Sequence, residues 1–506
     1  MFDILILTDH SAKLKSNKPA GAYRIASALR HAGYKVFVLN IMSTFYEKGV
    51  LFDILDSLVS ERTFMVGFSS TFFSRPGTNY TKTKDGLTLR IVHSHLSPWP
   101  LEPDDMQEVL DYFKEKNIKT VYGSFNEKRH NDIKNSVDYA VYGLGDHMVV
   151  ELANHIKNGT PLFFNINYDG IAKVLDHDYT GAKFDFRNTH TWHEKYDFID
   201  SREGLNMEFS RGCIFKCKFC SYPLLGKHKN DVSHLRCRES IKEEFRRNYE
   251  EYGVTRYNFV DDTFNESTEK LRDIAEVLEE LDLKIEAWAY LRLDLMVAFP
   301  EQIELLKRIG LKYWFLGIET LNHESGKAVG KGLHPDKVRE TLKMIQREYP
   351  GEFHIHGNFI IGLPHDTPEN TMEWLNWVYD PDFPLDSIYC GALVFFPNGR
   401  SHLDTHHKDY GYTIDSNYFW KNDHWNQEDA IKFVHDFHED VKEKTNVLVG
   451  SQMAPALCNI GVGYDEVMKI IRHPDGEQIA DSLAQPIVDD YIQNVINFAI
   501  ELHSNK

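Results

Sequence analysis

The 506-residue sequence predicts an α/β chain in three parts: an N-terminal doubly wound parallel sheet, a partial (β/α)6 barrel and a helical C-terminal region. Three observations predict it. Short apolar runs alternate with amphipathic helical patterns over residues 1–160, as in a parallel sheet covered on both faces. The alternation resumes over residues 206–400, where each expected strand ends in glycine or polar residues, the place where a barrel keeps its site. Over residues 401–506 helical periodicity takes over.

In the first part, residues 2–8 are an apolar run of strand length. Pro19-Ala20-Gly21 then opens a helix whose apolar face is Ala22, Ile25, Ala26 and Leu29, closed by Gly33. Further strands are expected at 35–41, 64–69, 118–123 and 138–142, with helices at 51–60, 103–116 and 147–157. Residues 75–103 are polar, and their His93 and His95 read as part of a solvated loop. Residues 161–205 read as a linker with a short ribbon. In the barrel, strands are expected at 207–209, 256–260, 284–289, 313–318, 353–361 and 387–395. Ser267 caps a helix with the apolar face Leu271, Ile274, Ala275, Leu278 and Leu281. In the C-terminal region, residues 429–441 and 475–502 are helical, with Pro486 a kink or break. The aromatic and histidine-rich stretch 410–425 either lines a site or packs on the barrel.

Composition excludes several classes. A net charge of −19 disfavours a broad phosphate-backbone interface, so nucleic acid is not expected as a partner. No apolar run reaches the ~18 residues that cross a bilayer. The start, Met-Phe-Asp-Ile-Leu-Ile-Leu, reads as a strand and not as a signal peptide. Six cysteines with three clustered do not make a disulfide framework, and a reducing cytoplasm is expected.

The chemistry concentrates in Arg211-Gly-Cys213-Ile-Phe-Lys-Cys217-Lys-Phe219-Cys220. Three thiolates spaced C-x3-C-x2-C can converge on a cubane iron–sulfur cluster, each holding one iron and leaving the fourth open. Soft thiolates suit iron–sulfur or zinc far better than a hard cation. A zinc-structured binding module, with Cys237 as fourth ligand, is the alternative of another class. Cys390 and Cys458 read as buried thiols.

This loop, with its aromatic residue before the last cysteine, resembles the cluster loop of radical S-adenosylmethionine (SAM) enzymes. The resemblance implies a 4Fe–4S cluster on Cys213, Cys217 and Cys220, with SAM chelating the open iron and cleaved to a 5′-deoxyadenosyl radical. The later strand ends resemble the family's motifs in order. They imply SAM contacts at Phe219, Asp261, Asp262, Arg292, Gly317, Glu319, Asn358, Gly362 and Leu363. The first domain resembles the cobalamin-binding domain of a radical SAM subgroup, which implies a corrin near Ser69, Ser70, Gly123, Ser124, Gly143 and Gly145. The D-x-H-x-x-G motif is absent, so no histidine is expected on the cobalt. The implied activity is methylation of an unreactive carbon in a small-molecule or peptide substrate, with flavodoxin or ferredoxin as electron donor. The alternatives are a ring-forming or rearranging oxidation and a first domain that no longer holds cobalamin. A methylthiotransferase is disfavoured, because the first domain lacks cysteines for a second cluster.

Overall fold

Ile4, Leu5, Ile6 and Leu7 are all buried, and the period-2 alternation of a strand sends them to two different cores. A run apolar on both faces is what the centre of a covered parallel sheet requires. The computed structural model describes residues 1–9, 18–69, 80–82, 88–90, 100–124, 136–162, 165–169, 172–176, 186–220, 234–395, 401–415, 419–450 and 453–505. The first strands are β1 (Ile4–Thr8), β2 (Val36–Leu39) and β3 (Met65–Ser69). Two short strands, β4 (Tyr80–Lys82) and β5 (Thr88–Arg90), form a separate antiparallel ribbon. Then come β6 (Lys119–Ser124), β7 (Tyr139–Tyr142), β8 (Asn165–Asp169) and β9 (Ala172–Asp176).

The first sheet runs β2-β1-β3-β6-β7-β9-β8, with β8 alone antiparallel. The ribbon expected in the linker is therefore the edge of this sheet: β9 pairs parallel with β7. Helices Ala20–His31 and Gly145–Asn158 cover one face through Ala22, Ala26, Leu29, Met148 and Leu152. Helices Leu51–Leu58 and Pro103–Glu115 cover the other. His93 and His95 lie outside the described residues.

The second sheet is parallel throughout and runs β10 (Gly204–Met207), β11 (Arg256–Phe259), β12 (Glu286–Leu291), β13 (Leu311–Glu319), β14 (His354–Ile361), β15 (Ser387–Ala392) and β18 (Leu448–Val449). Six strands match the expected partial barrel, and the two-residue β18 extends its edge. Two more short strands, β16 (Thr413–Ile414) and β17 (Trp420–Lys421), form a hairpin. Leu205, Met207, Tyr257, Phe259, Ala287 and Ala289 face outward into the helical layer, so Asn206, Asn258 and Trp288 face inward. The first strand ends at Met207, earlier than the predicted 207–209, because Asp261 draws the Phe209 N–H out of the ladder at 2.7 Å.

The last helix, Gly476–Ser504, runs through Pro486 without the expected break. Both flanks of the proline are packed. Ala480 and Ala484 lie against the barrel cluster that holds Tyr313, and Val488, Tyr491 and Val495 lie against the first sheet. One helix thus clamps both sheets. No described helix is long and apolar enough to cross a membrane.

Gly310 closes helix Glu301–Ile309 at φ +83, and a Cβ there would strike the carbonyl oxygen of Ile285. Gly310→Ala is expected to destabilise the barrel by about 2 kcal/mol or more, since a left-handed non-glycine residue and a backbone clash add. A lowered urea midpoint checks this, and an unchanged midpoint contradicts the close approach.

Candidate functional site

The carboxyl ends of the two sheets face each other across a cavity of about 1290 Å³. Cys213, Cys217 and Cys220 all line it, on the loop that follows β10. None is in a disulfide. Donors already face the sulfurs. The Phe215 N–H donates to Cys213 Sγ at 3.4 Å, Thr263 Oγ1 lies 3.4 Å from the same sulfur, and Arg292 Nη1 donates to Cys217 Sγ at 3.1 Å. Burial pushes the Cys213 thiol up, with those two contacts opposing it. Among the described residues no three His, Cys, Asp or Glu side chains gather as ligands of one metal ion would. A cubane asks for a looser triangle, one thiolate per iron. Cys237 does not line the cavity; its thiol donates to Asn188 Oδ1 at 3.3 Å.

The loop is tied to the first domain by buried charges. Arg211 donates to Asp146 at 2.8 Å and to Glu208 at 2.8 Å, and Arg24 lies 3.5 Å from Asp146 and 3.7 Å from Glu208. Burial alone would raise the Asp146 carboxyl, but Arg211 and Arg24 outweigh it and hold it at about 2.

The expected SAM residues divide. Phe219, Asp261, Asp262, Arg292, Gly317, Glu319 and Asn358 line the cavity. Asp261 is turned inward: it accepts from Phe209 N, from Ser210 Oγ at 2.9 Å and from Lys270 Nζ at 2.8 Å. Asp262 points into the cavity. The carboxyl is accessible from the cavity, and its surroundings together with Asp261, Glu208 and Glu266 raise it to about 7. Neither aspartate caps the next helix, since Ser267 accepts the Lys270 N–H there at 3.2 Å. Arg292 holds Asp294 at 2.7 and 3.0 Å and stacks over Phe215 at 3.9 Å, so its guanidinium braces the cysteine loop.

Glu319 sits in the left-handed region at φ +69. Burial raises its carboxyl, and Lys331 at 3.5 Å opposes the shift. A Cβ at Gly317 would meet the Glu319 carboxylate, so that flexible side chain would have to shift from its place. Lys331 Nζ also donates to Gly317 O at 2.7 Å. Gly362 and Leu363 are outside the cavity wall. The Trp420 ring covers Gly362, and Leu363 is fully buried. Trp420 and Tyr412 belong to the barrel core, so at these two positions the aromatic stretch packs on the barrel.

In the first domain Ser69, Gly123, Gly143 and Gly145 line the cavity. Ser70 and the side chain of Ser124 lie outside the described residues. Below them the cavity enters a slot between the sheet and helices Ala20–His31 and Gly145–Asn158, walled by Ile6, Ile25, Leu29, Met65, Val121 and Val149. Sequence reasoning missed this slot and also Trp288, Tyr290, Phe315 and Lys331. The first three are barrel-interior aromatics whose inward facing depends on strand phase.

Residues 207–378 match the sequence profile of the Radical SAM superfamily. The match spans 172 of the 506 residues, about a third of the chain. The matched stretch holds the cysteine loop and strands β11 to β14, and it stops short of β15 and of the first sheet. An uncharacterized methyltransferase of Pyrococcus horikoshii is 32% identical over 195 residues, 37% of this chain and 40% of that protein. A ribosomal protein uS12 methylthiotransferase RimO of Christiangramia forsetii is 24% identical over 291 residues, 54% of this chain and 59% of that protein. The chain spans about half the length of the curated relatives it matches. Among solved structures, TsrM of Kitasatospora setae, a radical SAM methyltransferase with cobalamin and a [4Fe-4S] cluster bound, superposes with a TM-score of 0.60 at 13% identity, covering 93% of this chain and 99% of that one. The shared fold therefore includes the first sheet as well as the radical SAM barrel.

The raised Asp262 carboxyl opposes folding at neutral pH. Its folded value of about 7 exceeds the ordinary 3.8, so the penalty is absent at low pH, grows between about pH 4 and 7 and levels off above. Asp262→Asn is expected to raise the melting temperature of the metal-free protein more at pH 8 than at pH 5. An equal effect at both values, measured by calorimetry, contradicts this environment.

Proposed function

We propose that this protein is a cobalamin-dependent radical SAM methyltransferase that alkylates an unreactive carbon. The observation that carries the reading is a single cavity lined both by Cys213, Cys217 and Cys220 and by the strand-end glycines and slot of the first domain. When bound, the cluster supplies the electron that cleaves SAM to a 5′-deoxyadenosyl radical, and cobalamin carries the methyl group. The protein's residues do the rest. Arg292 and the Phe215 N–H hold two of the sulfurs through hydrogen bonds. Lys331 fixes Glu319 and the Gly317 carbonyl as a polar edge for SAM. Asp262 offers a carboxyl to the SAM ammonium, whose positive charge would pull it back to its ionised form.

The strand-end glycines and the slot below them would hold a corrin and its nucleotide tail. A Cβ added at Gly67 or Gly123 meets nothing closer than 3.8 Å, so the chain itself does not require glycine there and the room serves something else. The apolar walls suit a flat aromatic nucleotide base. The methylthiotransferase reading needs cysteines for a second cluster, and the first cysteine of the chain is Cys213. The electron comes from a low-potential carrier such as flavodoxin or ferredoxin, in a reducing cytoplasm where free thiols and the cluster persist.

Anaerobically reconstituted protein is expected to hold four irons, to retain hydroxocobalamin through gel filtration and to cleave SAM slowly without substrate. Cys217→Ala is expected to lose the intact cluster and Cys237→Ala to keep it. Equal loss in both supports the zinc site instead. Gly123→Val fills the slot and is expected to lower corrin retention at least tenfold while SAM cleavage continues. Full corrin retention by that variant contradicts the slot, and absence of corrin from the wild type contradicts methyl transfer through cobalt.

A further inference from the structure

Inside the barrel a line of polar side chains runs up β14 and β15 and ends at the cavity. His354 Nε2 lies 2.9 Å from Ser387 Oγ, Ser387 Oγ lies 2.7 Å from His356 Nδ1, and His356 Nε2 lies 3.2 Å from Asn358 Oδ1. The pairing follows from the register, which sets Ser387 opposite His356 and Gly317 opposite Asn358. His354, His356 and Ser387 are each at most 3% exposed. Asn358 is half-buried and forms part of the cavity wall. Burial holds both imidazoles at about 4, so both are neutral at physiological pH, and each carries one N–H and one lone pair.

Only two proton arrangements satisfy all three contacts, because a serine hydroxyl donates once. In one, His354 Nε2–H donates to Ser387, Ser387 donates to His356 Nδ1, and His356 Nε2–H donates to Asn358 Oδ1. In the other, Ser387 donates to His354 Nε2, His356 Nδ1–H donates to Ser387, and the Asn358 amide is flipped so that its NH2 donates to His356 Nε2. The far end separates them. His354 Nδ1 is buried with no partner. The first arrangement leaves a bare lone pair there, and the second leaves an N–H, and buried orphan N–H groups are the rarer of the two. The first arrangement also agrees with the Asn358 oxygen facing His356. It turns the Asn358 amide NH2 to the cavity, where it has no partner among the described residues.

The geometry points to a positioning role for His354, Ser387 and His356: they lock the Asn358 amide so that its N–H donors face the bound nucleoside, which selects a hydrogen-bond acceptor on SAM. The inference rests on the reading of the cavity as a SAM site and adds residues deep in the barrel that touch no ligand. His356 orients Asn358, and Asn358 makes the contact. Without the rail the amide is free to flip and offer its oxygen instead, which repels an acceptor.

Two readouts test it. In long-range 1H–15N spectra of 15N-histidine-labelled protein, assigned with His356→Gln, His356 is expected as a single Nε2–H tautomer between pH 5.5 and 8. A mixture, or the Nδ1–H form, overturns the arrangement. This measurement needs no cluster and no SAM. In anaerobic protein with its cluster, His356→Leu is expected to weaken SAM and S-adenosylhomocysteine binding about tenfold, the worth of one oriented hydrogen bond. His356→Gln, whose amide nitrogen can replace Nε2, is expected to stay within about twofold of wild type. Equal affinity in His356→Leu and wild type overturns the proposal. Wild-type protein that holds the cluster but binds neither ligand overturns the SAM reading itself, and the tautomer then judges the rail on its own.

Discussion

Arg211 is the joint of the molecule. It stands two residues before Cys213, and its guanidinium is held by Asp146 of the first domain and Glu208 of the barrel. Arg24 completes the square from the first helix. Charges this buried are costly to separate, on the order of 3–5 kcal/mol when one partner is removed. The network is therefore less a source of net stability than a device that fixes the position of the cysteine loop against the strand ends of the first sheet. Everything else about the cavity follows from that placement, including which residues of the two domains can meet one ligand. The helix Gly476–Ser504 works to the same end from outside. It packs on both sheets and contributes Glu477, Ala480 and Asp481 to the cavity wall.

Within the cavity, the chain assigns its polar groups to two jobs that look alike in composition. Adjacent Asp261 and Asp262 show the division. The first is consumed by Phe209 N, Ser210 and Lys270 and shapes the loop. The second faces the cavity with its carboxyl raised to about 7, a cost in stability that a cationic ligand would relieve. Arg292 goes the other way. A guanidinium suited to a carboxylate ligand is instead locked to Asp294, Cys217 and Phe215, which makes it part of the frame around the cysteine loop.

Much of this was legible in the residues alone, and the limits have physical causes. The C-x3-C-x2-C spacing, the strand-end position of Gly317 and Glu319, and the strands β1, β2, β3, β6 and β7 alternating with helices are local signals, and the fold keeps them. At Gly317 the group that a Cβ would meet is local, the Glu319 carboxylate two residues on. Gly362 carries the same local signal, yet the approaching group is Trp420, some sixty residues on, so sequence position could not tell a ligand from a tryptophan. The β8–β9 ribbon read as a linker because its polar strands lie at a sheet edge, where alternation weakens. β18 has two residues, too few for any period to show. The rail from His354 to Asn358 depends on the register between β14 and β15, which a one-residue slip would destroy and which no single strand encodes.

The central claim is that one cavity brings the cluster and the corrin together. The most direct measurement is electron paramagnetic resonance of protein holding both the reduced cluster and cob(II)alamin. Two paramagnets facing each other across a shared cavity are predicted to broaden and split each other's signals, and removal of the corrin should restore the narrow cluster spectrum. Spectra that are the simple sum of an isolated cluster and an isolated cob(II)alamin would contradict the account.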